Sequence, residues 1–195
     1  MVELELLKTA LSSAVNMDTA AFELSLPYWK LKTYKKGEFY NEYQNVCKHL
    51  GFIIHGVFRI YRADDKTGEE KNMLFFSEKQ FIASYTSFLS QKPCNYYTSS
   101  MSDSMIIYIH IDHLNKLYKE SHSWERFGRF IAETAFHTLM ANTEGFLFKT
   151  AEERYMDMIE QHPTIFNSVP LYHLASYLGI QPPSLSRIRK RIVGR

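Results

Sequence analysis

The sequence predicts an α+β chain: an N-terminal antiparallel β-roll of the jelly-roll kind, a long helix after it, and a small all-α helix-turn-helix unit at the C-terminal end. Three observations carry this. Between Tyr28 and Ile111, short β-branched and aromatic runs alternate with turn residues. After Asp112 the apolar period lengthens to three and four residues. From Leu171 to Ile192, two short apolar-faced segments flank a glycine.

In the first region the runs Phe52-Ile53-Ile54, Val57-Phe58-Arg59-Ile60-Tyr61, Asn72-Met73-Leu74-Phe75-Phe76 and Met105-Ile106-Ile107-Tyr108-Ile109 have the spacing of an antiparallel sandwich or barrel. Asp64-Asp65-Lys66-Thr67-Gly68 reads as a hairpin loop, with Gly68 available for a positive φ. Gly37, Gly51 and Gly56 read as turn glycines. With 195 residues, 45% apolar and 15% aromatic, the chain can bury a core.

In the second region Trp124, Phe127, Ile131, Ala135, Leu139 and Thr143 recur at helical spacing, and Phe136, Met140 and Leu147 widen the stripe, so a helix is expected from about Ser123 to Phe148. A barrel covers only part of so long a helix. The expectation is therefore one side packed on the roll and the other on the same helix of a second copy; a core helix in a monomer is the alternative. Thr150-Ala151-Glu152-Glu153 has the form of a capping box. It places the boundary there, with the roll and long helix over 1–148 and the helix-turn-helix unit over 149–195.

In the third region Leu171, Leu174, Ala175 and Leu178 form one apolar face, Gly179 permits a tight turn, and Ile180 plugs the corner. Pro182 and Pro183 fit only a first helical turn, so a second helix starts there with Gln181 at or near the cap. Leu185, Ile188 and Ile192 fall on its packed face, leaving Ser184, Arg187 and Arg191 on the other. Such a face offers donors to phosphate and an arginine fork to guanine O6 and N7. Charge points the same way. The net +2 hides five bases and no acid in 187–195, which leaves eighteen bases against 21 acids, or −3, elsewhere. A basic end is either a nucleic-acid footprint or a solvated terminus, and a plain helical hairpin is the alternative to a DNA-binding one.

The segment LASYLGIQPPSLSRIRKRI resembles the helix-turn-helix of the Crp/Fnr family of transcription regulators. The upstream run LGFIIHGVFRIYRADDKTGEEKNMLFFSEKQFIASYTSFL resembles that family's cyclic-nucleotide-binding-like roll. The resemblance implies a homodimer that binds a palindromic operator in double-stranded DNA, with RNA polymerase as a further partner. It also implies a DNA-binding set of Gln181, Pro182, Pro183, Ser184, Ser186, Arg187, Lys190 and Arg191, with Arg187 reading a guanine. The prolines depart from the polar residues often found there and offer only apolar contact. Family members often carry a β-hairpin wing before the motif; the short stretch from Gln161 to Val169 leaves it absent or vestigial.

Relatives that bind cyclic AMP hold its ribose with a glycine-glutamate pair and its phosphate with an arginine-serine pair. Here those places fall on Ala83-Ser84 and Cys94-Asn95, and the adenine positions fall near Leu139 and Met140. A phosphodiester needs a cation or a nest of donors. Cyclic AMP is therefore not expected as the effector, and no cofactor is expected. Tyr85, Thr86, Tyr96, Tyr97 and Thr98 either line a pocket for another small ligand or fill it.

Other chemistry finds little support. Cys47 and Cys94 are too few for an iron–sulfur cluster, and Cys94 is either a redox thiol or a small buried hydrophobe. His110 and His113 lack further ligands at metal spacing, and haem through His55 or His137 has no specific support. A cupin-type metalloenzyme would need a His-x-His, which the sequence does not contain. A module that binds a ligand or dimerises without touching DNA is the remaining alternative. With no export leader and no apolar run near the roughly 20 residues that span a bilayer, a cytoplasmic protein is expected.

Overall fold

A computed structural model describes residues 2–163 and 165–193, leaving the side chains of Asn167 and Val193 undescribed; Arg195 of the basic end lies outside the described residues. Helices α1 (Val2–Val15) and α2 (Thr19–Ser25) precede eight strands: β1 (Lys30–Tyr34), β2 (Phe39–Asn41), β3 (His49–His55), β4 (Phe58–Ala63), β5 (Glu70–Phe76), β6 (Phe81–Ile82), β7 (Tyr97–Ser100) and β8 (Ser104–His110). Helix α3 (Tyr85–Ser90) lies between β6 and β7. The strands form two antiparallel sheets of order β1-β8-β3-β6 and β2-β7-β4-β5, which is the jelly-roll arrangement. Strand β8 shows why the apolar runs do not alternate cleanly. Its Ile106 faces the roll interior with Tyr34, Ile53, Phe58 and Ile82, while Ile107 and Ile109 join the helices on the opposite face. Both faces are covered, so both are apolar.

Gly51 is not a turn residue. It pairs with Tyr108 and Ile82 inside the β1-β8-β3-β6 sheet. A Cβ there would stand 3.1 Å from Ile82 and 3.3 Å from Tyr40, so the glycine serves close packing. Gly37 and Gly56 do turn, at φ +89° and +103°.

Helices α4 (Ile111–Glu120) and α5 (His122–Phe148) follow. The stripe expected to be one seam on α5 divides in two. Trp124, Phe127 and Ile131 lie in the chain's own core, where Leu7 and Leu11 of α1 cover the side assigned above to a second copy. The Trp124 indole N–H donates to Ala21 O at 2.8 Å, and Ser123 donates to Asp18 Oδ2 at 3.1 Å. Beyond Ile131 the stripe emerges: Ala135 is half-buried, and Phe136, Leu139, Met140, Thr143 and Leu147 are exposed.

At Lys149 the backbone becomes extended, and Thr150 starts α6 (Ala151–Gln161) with both capping-box bonds formed. A single turn, α7 (Ile165–Ser168), occupies the stretch where a wing would stand, before α8 (Leu171–Tyr177) and α9 (Pro182–Val193). These helices do not hang free. Val57, Phe75 and Met101 of the roll share one apolar cluster with Tyr155, Met158, Ile165, Leu174, Leu178, Leu185 and Ile188. Beside it the buried Arg59 reaches across, its Nη1 lying 2.8 Å from His173 Nδ1 and 2.6 Å from Glu70 Oε2. None of the helices among the described residues is long and apolar enough to cross a membrane.

Two expected outcomes follow from these contacts. Gly56→Ala would drive a Cβ to 2.8 Å from the Ser104 Cα at a left-handed φ, whereas Gly68, at φ +69°, faces open space. Gly68→Ala should therefore cost about 1–2 kcal/mol and Gly56→Ala more than about 3, read by denaturant titration. For His173, burial and then the Arg59 cation hold the ring down to about 4 from 6.5. A neutral ring is favoured in the fold, so this stability is complete above about pH 6.5 and is lost as the pH falls towards about 4, by up to about 1.4 kcal/mol per unit. Because His49 is also held to about 4, the measure is the part of the acid slope that His173→Asn removes.

Candidate nucleic-acid interface

The turn between α8 and α9 is built by local bonds. Gly179, at φ +67°, lets its N–H reach Ser176 O at 3.1 Å while the Ile180 N–H reaches Ala175 O at 3.0 Å. This pair of bonds is a Schellman closure of α8. Gly179 also lies against Phe146 of α5, which a Cβ would meet at 3.1 Å. Helix α9 then starts at Pro182, and Gln181 O accepts from the N–H groups of Ser184 and Leu185 at 2.9 and 3.2 Å. The consecutive prolines have no N–H to leave unpaired in this first turn. Leu185 and Ile188 are buried beneath the helix, and Gln181, Pro183, Arg187, Arg189 and Lys190 are exposed.

Arg187 stands on the exposed face, with its Nη2 donating to Ser184 Oγ at 3.2 Å one turn earlier. Ser184 and Ser186 are half-buried beside it. Arg191 is differently placed: it is drawn back on Glu152 of α6 at 2.5 Å. Arg187, Arg189, Lys190 and Arg191 are thus all exposed, and Arg191 among them also ties α9 to α6.

The residues expected around an effector do not share one wall. Ala83 and Ser84 are buried, with Ser84 Oγ 2.9 Å from Thr98 Oγ1. Tyr85 packs beside Phe88, and Thr86 is exposed. Cys94 is buried, Asn95 is exposed and Tyr96 is half-buried. Tyr97 stacks on Tyr43 and Tyr61, with ring centroids 5.7 and 5.2 Å away. Inside the roll, the Tyr40 hydroxyl donates to His49 O at 2.7 Å. His110 accepts from the Asp112 N–H as the cap of α4, and His113 stacks on Tyr28. Among the described residues no three His, Cys, Asp or Glu side chains are placed to hold a metal.

Two features went unseen in the sequence. Helix α1 carries its signal in Leu4, Leu7 and Leu11, a spacing of three and four residues that marks one helical face. The docking of α8 on β5 has only a faint trace, Arg59 between the apolar Phe58 and Ile60 of β4. Its partner His173 lies 114 residues away.

No family model matches the chain, and no curated protein matches it by sequence. Solved structures match its fold. FixK2 from Bradyrhizobium japonicum has a TM-score of 0.72 at 15% identity, covering 85% of this chain and 85% of that one. The regulator CLP of Xanthomonas campestris, described as responsive to c-di-GMP, has a TM-score of 0.67 at 15% identity over 91% and 92% of the two chains. A transcriptional regulator of the Crp/Fnr family from Eubacterium rectale gives 0.67 at 16% identity over 90% and 83%. With its jelly-roll, its long α5 and its Schellman-closed α8–α9 pair, the chain has the fold of the Crp/Fnr transcription regulators.

Proposed function

We propose that the chain is a DNA-binding transcription regulator of Crp/Fnr type that acts as a homodimer and answers to a small effector other than cyclic AMP. The observation that carries this is α9: a helix held on its apolar face by Leu185 and Ile188, presenting Arg187 and Lys190 outward at the end of a tight glycine turn. An arginine fork so presented fits the two acceptors on the major-groove edge of guanine. The two prolines at its start leave contact there to apolar surface and to Ser184. RNA polymerase is the expected protein partner of such a regulator.

Self-association is supported by the second half of α5. Phe136, Leu139, Met140 and Leu147 are 61%, 54%, 41% and 68% exposed, and their spacing puts them on one face with Thr143. A twofold contact buries the same stripe on both chains at once. Such a dimer presents two α9 helices to half-sites about one helical turn apart. An effector other than cyclic AMP is supported by Cys94 and Asn95, neither a cation, at the place where the family keeps its arginine.

Leu139→Glu should therefore yield a monomer in sedimentation velocity at micromolar concentration; a wild type that is already monomeric there would remove the dimer. Arg187→Ala should cost about 1–3 kcal/mol on a duplex that the wild type enriches from a random library, and relax preference at one base pair per half-site. Lys190→Ala should weaken all sequences alike and lower the salt slope by about one. Equal loss on specific and random DNA for Arg187→Ala would leave only a basic patch.

A further inference from the structure

The covalent tether between the roll and the helix-turn-helix unit is the extended backbone at Lys149 and Thr150, so the position of α9 depends on how α8 docks. Its apolar contacts, Phe75 and Val57 against Leu174 and Leu178, set a distance but tolerate sliding. The polar contacts are directional. Strand β5 is the free edge of its sheet, and the Ser176 hydroxyl accepts from the Asn72 N–H at 3.1 Å while donating to Glu70 O at 2.9 Å. One side chain of α8 thus caps both backbone groups of an open strand edge.

One turn earlier on the same helix face, His173 Nδ1 meets Arg59. The guanidinium is always a donor, so the imidazole must accept at Nδ1 and carry its proton on Nε2. Arg59 is itself fixed, since Glu70 lies 2.6 Å from Nη1 and the guanidinium carbon sits 3.7 Å over the Tyr61 ring. These two polar anchors, three residues apart, restrain both the rotation of α8 about its axis and its travel along it from the roll side, while the Tyr177 hydroxyl donates to Asn142 of α5 at 3.2 Å on the other.

We propose that Arg59 is a positioning residue for DNA recognition: through His173, with Ser176 as the second anchor, the roll sets where α9 stands and so which half-site spacing the dimer accepts. The inference rests on the DNA-binding reading above. Arg59 is itself buried, so its loss alters geometry rather than base preference.

The experiment uses the full chain and a duplex enriched from a random library by the wild type, rebuilt with the central spacer changed one base pair at a time. The wild type should prefer one spacer by about tenfold, the equilibrium equivalent of one charge-assisted hydrogen bond. In Arg59→Met and in His173→Leu that preference should fall to about twofold, with the base preference within each half-site unchanged. His173→Asn, which keeps an acceptor near the place of Nδ1, should restore it. Hydrogen exchange without DNA gives a second readout. The Asn72 amide, bonded to Ser176 rather than to a neighbouring strand, should exchange about tenfold faster in the two disabling variants while the β3 and β8 amides keep their rates.

Wild-type spacer profiles in both disabling variants would overturn the inference, as would a His173→Asn protein that behaves like His173→Leu. Should Arg59→Met fail to fold, the two His173 variants decide. A wild type that enriches no duplex would instead overturn the DNA-binding reading, before any variant is made, and unchanged Asn72 exchange would then dispose of the anchor too.

Discussion

A helix of 27 residues is about 40 Å long, and the body of the chain covers less than half of α5. Much else follows from this mismatch. Trp124 and Phe127 anchor the first turns between α1 and the β1-β8-β3-β6 sheet, where they are fully buried. The rest of the helix projects past the roll with Phe136, Leu139, Met140 and Leu147 exposed. At its far end it is also a wall for the helix-turn-helix unit, since Asn142 accepts from the Tyr177 hydroxyl at 3.2 Å and Phe146 lies against Gly179. A single element therefore belongs to the roll at one end, carries an exposed apolar stripe in the middle, and touches the helix-turn-helix unit at the other.

What could be read in the sequence followed how local each feature is. The α8–α9 turn was legible in detail because Gly179, Ile180, Pro182 and Pro183 each answer a backbone requirement within a few residues. The roll was legible as spaced apolar runs, and the Thr150 cap from four consecutive residues. Periodicity marked the stripe on α5 correctly but could not say what covers it, and the cover for Trp124, Phe127 and Ile131 came from Leu7 and Leu11, more than a hundred positions earlier. Gly51 was read as a turn because a glycine between apolar runs gives the same signal whether the chain bends there or a neighbour stands close.

The exposed face of α9 was legible as residue types rather than as arrangement. Charge concentrated in 187–195 marked that segment, yet the exposed Arg191 is paired with Glu152 of α6 while Arg187 reaches Ser184 of its own helix. The residues placed around an effector by analogy are distributed between the interior, α3 and the outer face. Tyr97 shows how: alternation along β7 turns it out of the roll towards Tyr61, while its neighbour Thr98 points in to Ser84.

The capping of β5 by Ser176 also bears on how the chain is made. The edge groups of Glu70 and Asn72 are synthesised first, and the hydroxyl that satisfies them follows 104 residues after Asn72. At cellular elongation rates this leaves the strand edge without its cap for about 5–20 s in every round of translation. During that interval the nascent roll carries an open hydrogen-bonding edge of the kind that recruits strands from other chains. The helix-turn-helix unit, made after the roll, is then also the guard that ends this exposure.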